Sequence, residues 1–132
     1  MRKYFIPLSI LFATLLTLQS CSPSANIDDT FADVKKITLQ KINLDGSKDL
    51  LFEVTQKEHI AKITESVDLN TNGTSGCEFV VLLTFYKPNS KIEGYTNFSE
   101  ECKTISYTYN SNFYTKALTD EGANYLRLLT GL

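Results

Sequence analysis

The sequence predicts an α+β domain: an antiparallel sheet of about five strands, in the order β-β-α-β-β-β-α, with two helices packed on one face and one disulfide. Three observations carry this expectation. Short alternating apolar segments are separated by tight-turn signals, which favours antiparallel hairpins. Two segments instead carry apolar residues at helical spacing behind a capping residue. One run, Glu78 to Tyr86, is apolar on both faces and reads as a central strand.

In chain order, Ile37, Leu39 and Lys41 alternate with Thr38, Gln40 and Ile42, as in a half-buried strand. Asp45-Gly46 signals a hairpin turn, and Leu50, Phe52 and Val54 form the returning strand. Thr55-Gln56-Lys57-Glu58 matches a capping box, in which Thr55 caps a helix and Glu58 reaches back. Ile60, Ile63 and Val67 follow at helical spacing, predicting about three turns. Asn70 to Gly76 reads as a polar loop. In the central run, Phe79, Val81, Leu83 and Phe85 share one face, and Val80, Leu82 and Tyr86 the other. Lys87-Pro88-Asn89-Ser90 turns the chain, and Lys91 to Asn97 returns. From Thr104 to Asn110, Ile105, Tyr107 and Tyr109 oppose Thr104, Ser106 and Thr108, giving a strand with one wet side. Asn110-Ser111-Asn112 turns again towards Phe113 and Tyr114, and one extra short strand is the open alternative. Thr119, Asp120 and Glu121 start a final helix, Leu118, Gly122, Tyr125, Leu126 and Leu129 form its stripe, and Gly131 ends it.

The 132 residues allow one domain. A hydrophobic fraction of 42% and a charged fraction of 21% exclude disorder, coiled coil and collagen. With 13 basic and 15 acidic residues the net charge is −2, which supplies no electrostatic case for nucleic acid. One His and three Cys without clustered spacing argue against a metal site, and none is expected.

The first 20 residues read as an address. Arg2 and Lys3 precede a mostly apolar run from Tyr4 to Leu18. A membrane span needs roughly 20 apolar residues, so this run fits a secretory signal instead. It ends in Leu18-Gln19-Ser20-Cys21. This motif resembles the lipobox of bacterial lipoproteins, and the resemblance covers residues 1–21 only. It implies cleavage after Ser20, a diacylglyceryl thioether on the Cys21 sulfur, and an acyl group on the freed amine. That covalent lipid is the sole cofactor-like group expected. Buried methylenes contribute about 0.8 kcal/mol each, so two or three chains hold a protein on a membrane where one does not. Ser22 resembles the class sent to the outer membrane, facing the periplasm. The inner membrane and the cell surface remain alternatives.

Removing 20 of 132 residues leaves 112 and takes away Arg2 and Lys3, so 11 basic residues face 15 acidic ones. Such an acidic body is mildly repelled by anionic lipid, and attachment then rests on the acyl chains. Residues 21–33 read as lipidated Cys plus tether, and residues 34–132 as the globular domain. In an exported domain Cys77 and Cys102 read as one disulfide, the alternative being two unpaired buried thiols. Pairing suits their positions, since Cys77 opens the apolar strand and Cys102 follows the strand returning beside it.

No catalytic residue is assigned. His59 lies beside Glu58 in the first helix without a nucleophile to serve, and reads as a surface residue. Glu100-Glu101 reads as a solvated loop, since neighbours in a strand point to opposite faces. The polar tips at Asp68 to Gly76 and Asn110 to Asn112 suit plain turns or glycan contact. Asn72-Gly73-Thr74 and Asn97-Phe98-Ser99 match a eukaryotic glycosylation motif, which a bacterial host does not use. Tyr86, Tyr95, Tyr107, Tyr109, Phe113 and Tyr114 crowd the sheet, either as packing or as a partner-binding face. The expected function is therefore a non-enzymatic, lipid-anchored envelope protein that binds a protein partner in an inhibitory, accessory or assembly role. A glycan- or small-ligand-binding module is the second expectation, and a small hydrolase the third.

Overall fold

A computed structural model describes residues 29–132, so the signal and Cys21 lie outside the described residues. The chain forms β1 (Lys36–Ile42), β2 (Lys48–Val54), α1 (Lys57–Glu65), β3 (Val67–Asn72), β4 (Val81–Tyr86), β5 (Lys91–Asn97), β6 (Thr104–Tyr109), β7 (Asn112–Leu118) and α2 (Asp120–Thr130). All strands join one sheet in the spatial order β2-β1-β4-β5-β6-β7-β3. Every pairing is antiparallel. The α+β class, two helices and one disulfide are as expected. The strand count is not: the sheet has seven strands, in the chain order β-β-α-β-β-β-β-β-α.

Both additional strands form for tertiary reasons. β3 has the sequence Val-Asp-Leu-Asn-Thr-Asn, which is poor in strand formers. Only Val67 and Leu69 reach the core, and the pairing with β7 breaks register between Asp68 and Asn72. Its polar side chains hold it instead. Asp68 Oδ1 accepts from the Asn70 amide at 3.0 Å, and Lys116 Nζ donates to Asn72 Oδ1 at 3.2 Å. Val67, placed by periodicity in the first helix, opens this strand. β7 follows a two-residue turn in which Asn110 and Ser111 both take left-handed φ values, 49° and 64°. That geometry matches the right-handed twist of paired strands and starts the hairpin. Leu118, expected in the last helix, ends β7.

The core lies on one face. Register places Ile37 and Leu39 opposite Phe85 and Leu83, with Ile92, Ile105 and Tyr107 on the same side. Ile60 and Ile63 from α1 and Ala123 and Leu126 from α2 are buried in that cluster. The helix ends differ in how they are capped. Thr119 Oγ1 accepts from the Gly122 amide at 3.0 Å, and Gly131 closes α2 at φ 70°. The cap of α1 is Gln56, without a side-chain bond, so the expected Thr55 box does not form.

The packed body reaches back to Asp29, five residues before Val34. Thr30 and Phe31 are buried, and the Phe31 ring sits 4.6 Å from Phe85 and 5.4 Å from Tyr107. Lys87 Nζ donates to the carbonyls of Asp29 and Thr30 at 3.0 and 3.2 Å. Every strand, both helices, the disulfide and the core thus fall within residues 29–132. Within the described residues these elements pack on one another around one shared core.

β3 lies at one edge, yet β4 lies beside β1, with β5, β6 and β7 between them. Residues 73–80 make that crossing. The Gly73 amide donates to Thr115 O at 3.1 Å, and a Cβ at Gly73 would lie 2.5 Å from the Lys116 carbonyl oxygen. Cys77 is bonded to Cys102 in the β5–β6 loop, with Cα atoms 6.0 Å apart. Cys77 therefore lies in the crossover, and the strand expected from Glu78 begins at Val81. Asn97 Nδ2 donates to Glu78 O at 2.6 Å, and the Val80 amide donates to Thr96 O at 2.9 Å. A cross-link over a separation of 25 residues stabilises by about 3–4 kcal/mol in the chain-entropy model.

Gly122 shows how tightly α2 is seated. A Cβ there would lie 2.6 Å from Ser66 Cα, which is backbone and cannot step aside. Helix propensity alone would make Gly122→Ala stabilising by about 1 kcal/mol. The clash reverses the sign, and urea unfolding should show a loss of about 2 kcal/mol. A gain in midpoint would refute this packing.

Candidate functional site

Among the described residues the sheet has two open edges of unequal character. β3 pairs only with β7, and its irregular register and Asn-rich sequence leave it short of apolar side chains. Among the described residues β2 pairs only with β1. A strand paired on one side presents a row of backbone donors and acceptors on the other. Along β2 the sequence that builds the strand, Leu50-Leu51-Phe52, is also what it exposes: Leu50 is 61% and Phe52 42% accessible. The register shift between Leu39 and Gln40 pairs Phe52 with Leu39 and Leu50 with Gln40, leaving Leu51 without an opposite residue.

The hairpin beside this edge is braced. Asp45 Oδ1 accepts from Ser47 Oγ at 2.6 Å and from the Ser47 amide at 2.9 Å, and these bonds hold the Asp45 carboxyl below the usual carboxylate range. Asn43 Nδ2 donates to Asp49 Oδ2 at 2.9 Å, and Gly46 turns the chain at φ 82°. Leu44, at the tip, is fully exposed. Charges flank the apolar segment. Lys36 and Glu53 pair at 3.4 Å, and Lys48 Nζ lies 5.7 Å from the Tyr95 ring centre. Such an edge can accept a strand from another chain, with the main chain supplying hydrogen bonds and Leu50 and Phe52 supplying apolar contact.

The other sequence-derived candidates separate. Tyr125 OH lies 2.5 Å from His59 Nδ1, and the two rings stack, so the imidazole ties α1 to α2. Glu100 reaches Arg127 at 3.9 Å, and Glu101 is exposed. Among the described residues no group of three His, Cys, Asp or Glu converges. The two polar tips become β3 with its crossover and the β6–β7 turn. Among the described residues no helix is long and apolar enough to cross a membrane.

The aromatic residues divide by face. Tyr107 is 3% exposed, with the Phe31 and Tyr114 rings each 5.4 Å away, and Tyr109 and Tyr114 pack against the same core. Tyr86 and Tyr95 lie on the opposite face, where Lys36 stands 4.7 Å from the Tyr86 ring and Phe79 5.8 Å from Tyr95. Phe113 is the exposed aromatic at the far hairpin. Reading the strands one by one missed the edge. Leu50 and Phe52 look like core residues until the neighbour that would cover them is found to be missing. Leu44, an apolar residue inside a polar turn, was the one local signal.

No family model, curated protein or solved structure matches the chain.

Burial pushes the Tyr107 phenol from its ordinary value near 10 up to about 12, with Tyr114 adding to the shift. The folded state then holds a proton that the unfolded state loses. Stability is unaffected by this group below about pH 10 and falls as pH rises from about 10 towards 12, on the order of 2–3 kcal/mol in all. Tyrosinate absorbance should show Tyr107 ionising last, and Tyr107→Phe should flatten the loss between about pH 10 and 12. An unchanged alkaline profile in that variant would rule the assignment out.

Proposed function

We propose that this chain is a lipid-anchored bacterial envelope protein with a non-enzymatic domain that binds a protein partner along β2. The observation that carries the partner reading is the single-sided strand β2, with Leu50 and Phe52 exposed beside unpaired backbone groups. The anchor rests on the resemblance of Leu18-Gln19-Ser20-Cys21 to a lipobox. The Cys77–Cys102 bond agrees with an oxidising compartment outside the cytoplasm. Ser22 after the lipidated Cys favours the outer membrane facing the periplasm. The partner adds an extended segment to the sheet, and its apolar side chains meet Leu50 and Phe52. Inhibition, accessory binding and assembly all use this contact.

Two arms test the proposal. Mass spectrometry of the mature protein should find diacylglyceryl and acyl mass on Cys21, and Cys21→Ala should lose both the lipid and the cut after Ser20. A Cys21→Ala chain still cleaved there would end the anchor reading. In the second arm, a photoreactive residue replaces Phe52 in living cells, with Asn70 on the other edge as control. Discrete adducts are expected from position 52 and not from 70. Leu50→Lys should abolish them while changing stability by only about 0.5 kcal/mol, as for most surface substitutions. Equal adducts at both edges, or adducts that survive Leu50→Lys, would defeat the edge reading.

A further inference from the structure

Two hairpin tips stand at opposite ends of the sheet, and each exposes a large apolar side chain. Leu44 lies between β1 and β2, and Phe113, 71% accessible, follows the turn from β6 to β7. The register decides which end each occupies. Tyr86 pairs with Lys36 and Lys91, at the starts of β1 and β5, so the β4–β5 turn lies at the end away from Leu44. Gly94 pairs with Tyr107 and Asn97 with Thr104, which brings Tyr109 and the β6–β7 turn to the same end as the β4–β5 turn. Lys87, in the β4–β5 turn, reaches both: its Nζ lies 3.0 Å from the Asp29 carbonyl oxygen and 5.5 Å from the Tyr109 ring centre. Phe113 therefore shares an end with Asp29, and Leu44 does not.

The tips also differ in charge. Around Leu44 the chain carries Asp45, Lys48 and Asp49. From Thr104 to Thr115 it carries no charged residue, the longest such run after residue 28. Tyr107, Tyr109 and Tyr114 in this run pack on the core, so Phe113 is its outward aromatic ring, beside Asn110, Ser111 and Asn112. An aromatic ring among uncharged polar groups suits the boundary between lipid headgroups and acyl chains, where burying a charge would be costly.

Chain length bears on the same end. Asp29 is 29 − 21 = 8 residues from Cys21, a reach of at most about 28 Å. A contact too weak to hold a free protein on a bilayer becomes populated when a tether makes it intramolecular.

We propose that the β6–β7 tip docks on the membrane that holds the protein. The Phe113 ring enters the headgroup–acyl boundary beside the anchor, and the domain stands with its Asp29 end on the lipid. This inference rests on the anchor reading, in which the Cys21 sulfur carries the lipid, and is independent of the β2 edge.

The test uses the mature chain in vesicles of phosphatidylethanolamine and phosphatidylglycerol, with a photoreactive residue replacing Phe113 or Leu44. The intact mass before irradiation reports the lipid on Cys21. Phospholipid adducts should form at position 113, about tenfold more than at 44. Salt at roughly 1 M should leave them unchanged, because no charge pair makes the contact. The Cys21→Ala chain added to the same vesicles should lose about tenfold or more of the adducts at 113. With the photoreactive residue moved to Ser111, Phe113→Asn should cut lipid adducts about fivefold. Phe113 is exposed, so that substitution leaves the fold intact. Lipidated protein without phospholipid adducts at 113 would overturn the docking contact and leave the anchor standing. A starting mass without lipid on Cys21 would overturn both. Equal adducts at 113 and 44 would overturn the orientation, and adducts at 113 to a second copy of the chain would overturn lipid as the occupant. Adducts from position 111 that ignore Phe113→Asn would remove the ring from the contact.

Discussion

The crossover from β3 to β4 is the constraint on which the rest of the molecule depends. Consecutive strands usually lie side by side, because short connections reach only a neighbour. Here three strands separate them, and eight residues span the gap at the cost of ordering a polar, glycine-containing segment. The disulfide to Cys102, the Gly73 contact with β7 and the bonds from Asn97 and Val80 all fall on this short stretch. Fastened there, β4 enters between β1 and β5 with its apolar residues on both faces covered. Through β4 the hairpin β1–β2 and the meander β4 to β7 share one core, Ile37 and Leu39 lying beside Phe85 and Leu83.

That arrangement explains why the two edges differ. β3 is drawn into the sheet by β7 and by α1 before it, so it needs few apolar residues and exposes few. β2 closes the opposite side through its hairpin with β1 alone, and must rely on strand-forming residues to stay paired. The same Leu50 and Phe52 that favour the strand are left uncovered, Phe52 beside Leu39 on the core face and Leu50 beside Gln40 on the other. An edge with apolar side chains and open backbone groups is a liability in isolation.

The two ends of the sheet are also built differently. At one end Phe31 wedges between Phe85 and Tyr107, and Lys87 grips the carbonyls before it. β4 then spans six residues, on the order of 20 Å, to the opposite end. There the Leu44 hairpin tip and the loop that begins at Phe98 lie at the end of the sheet away from Asp29.

By itself the sequence determined the α+β class, the β1–β2 hairpin at Asp45-Gly46, the α2 caps at Thr119 and Gly131, the central character of β4 and the pairing of Cys77 with Cys102. These are local properties: turn dihedrals, capping bonds, periodicity and a count of two thiols. β3 was not legible, because an Asn-rich hexapeptide has no strand preference of its own and is held by Leu118, Lys116 and its place beside β7. The length of β7 was hidden for a related reason, since Leu118 fits a helical stripe and a strand end equally well. The place of Phe31 was hidden by its polar neighbours, which read as tether until Phe85 and Tyr107 supply a pocket. The edge and the crossover were decided only by tertiary structure, since each depends on which segments become neighbours, and spatial order leaves no trace in the spacing of residues along one strand.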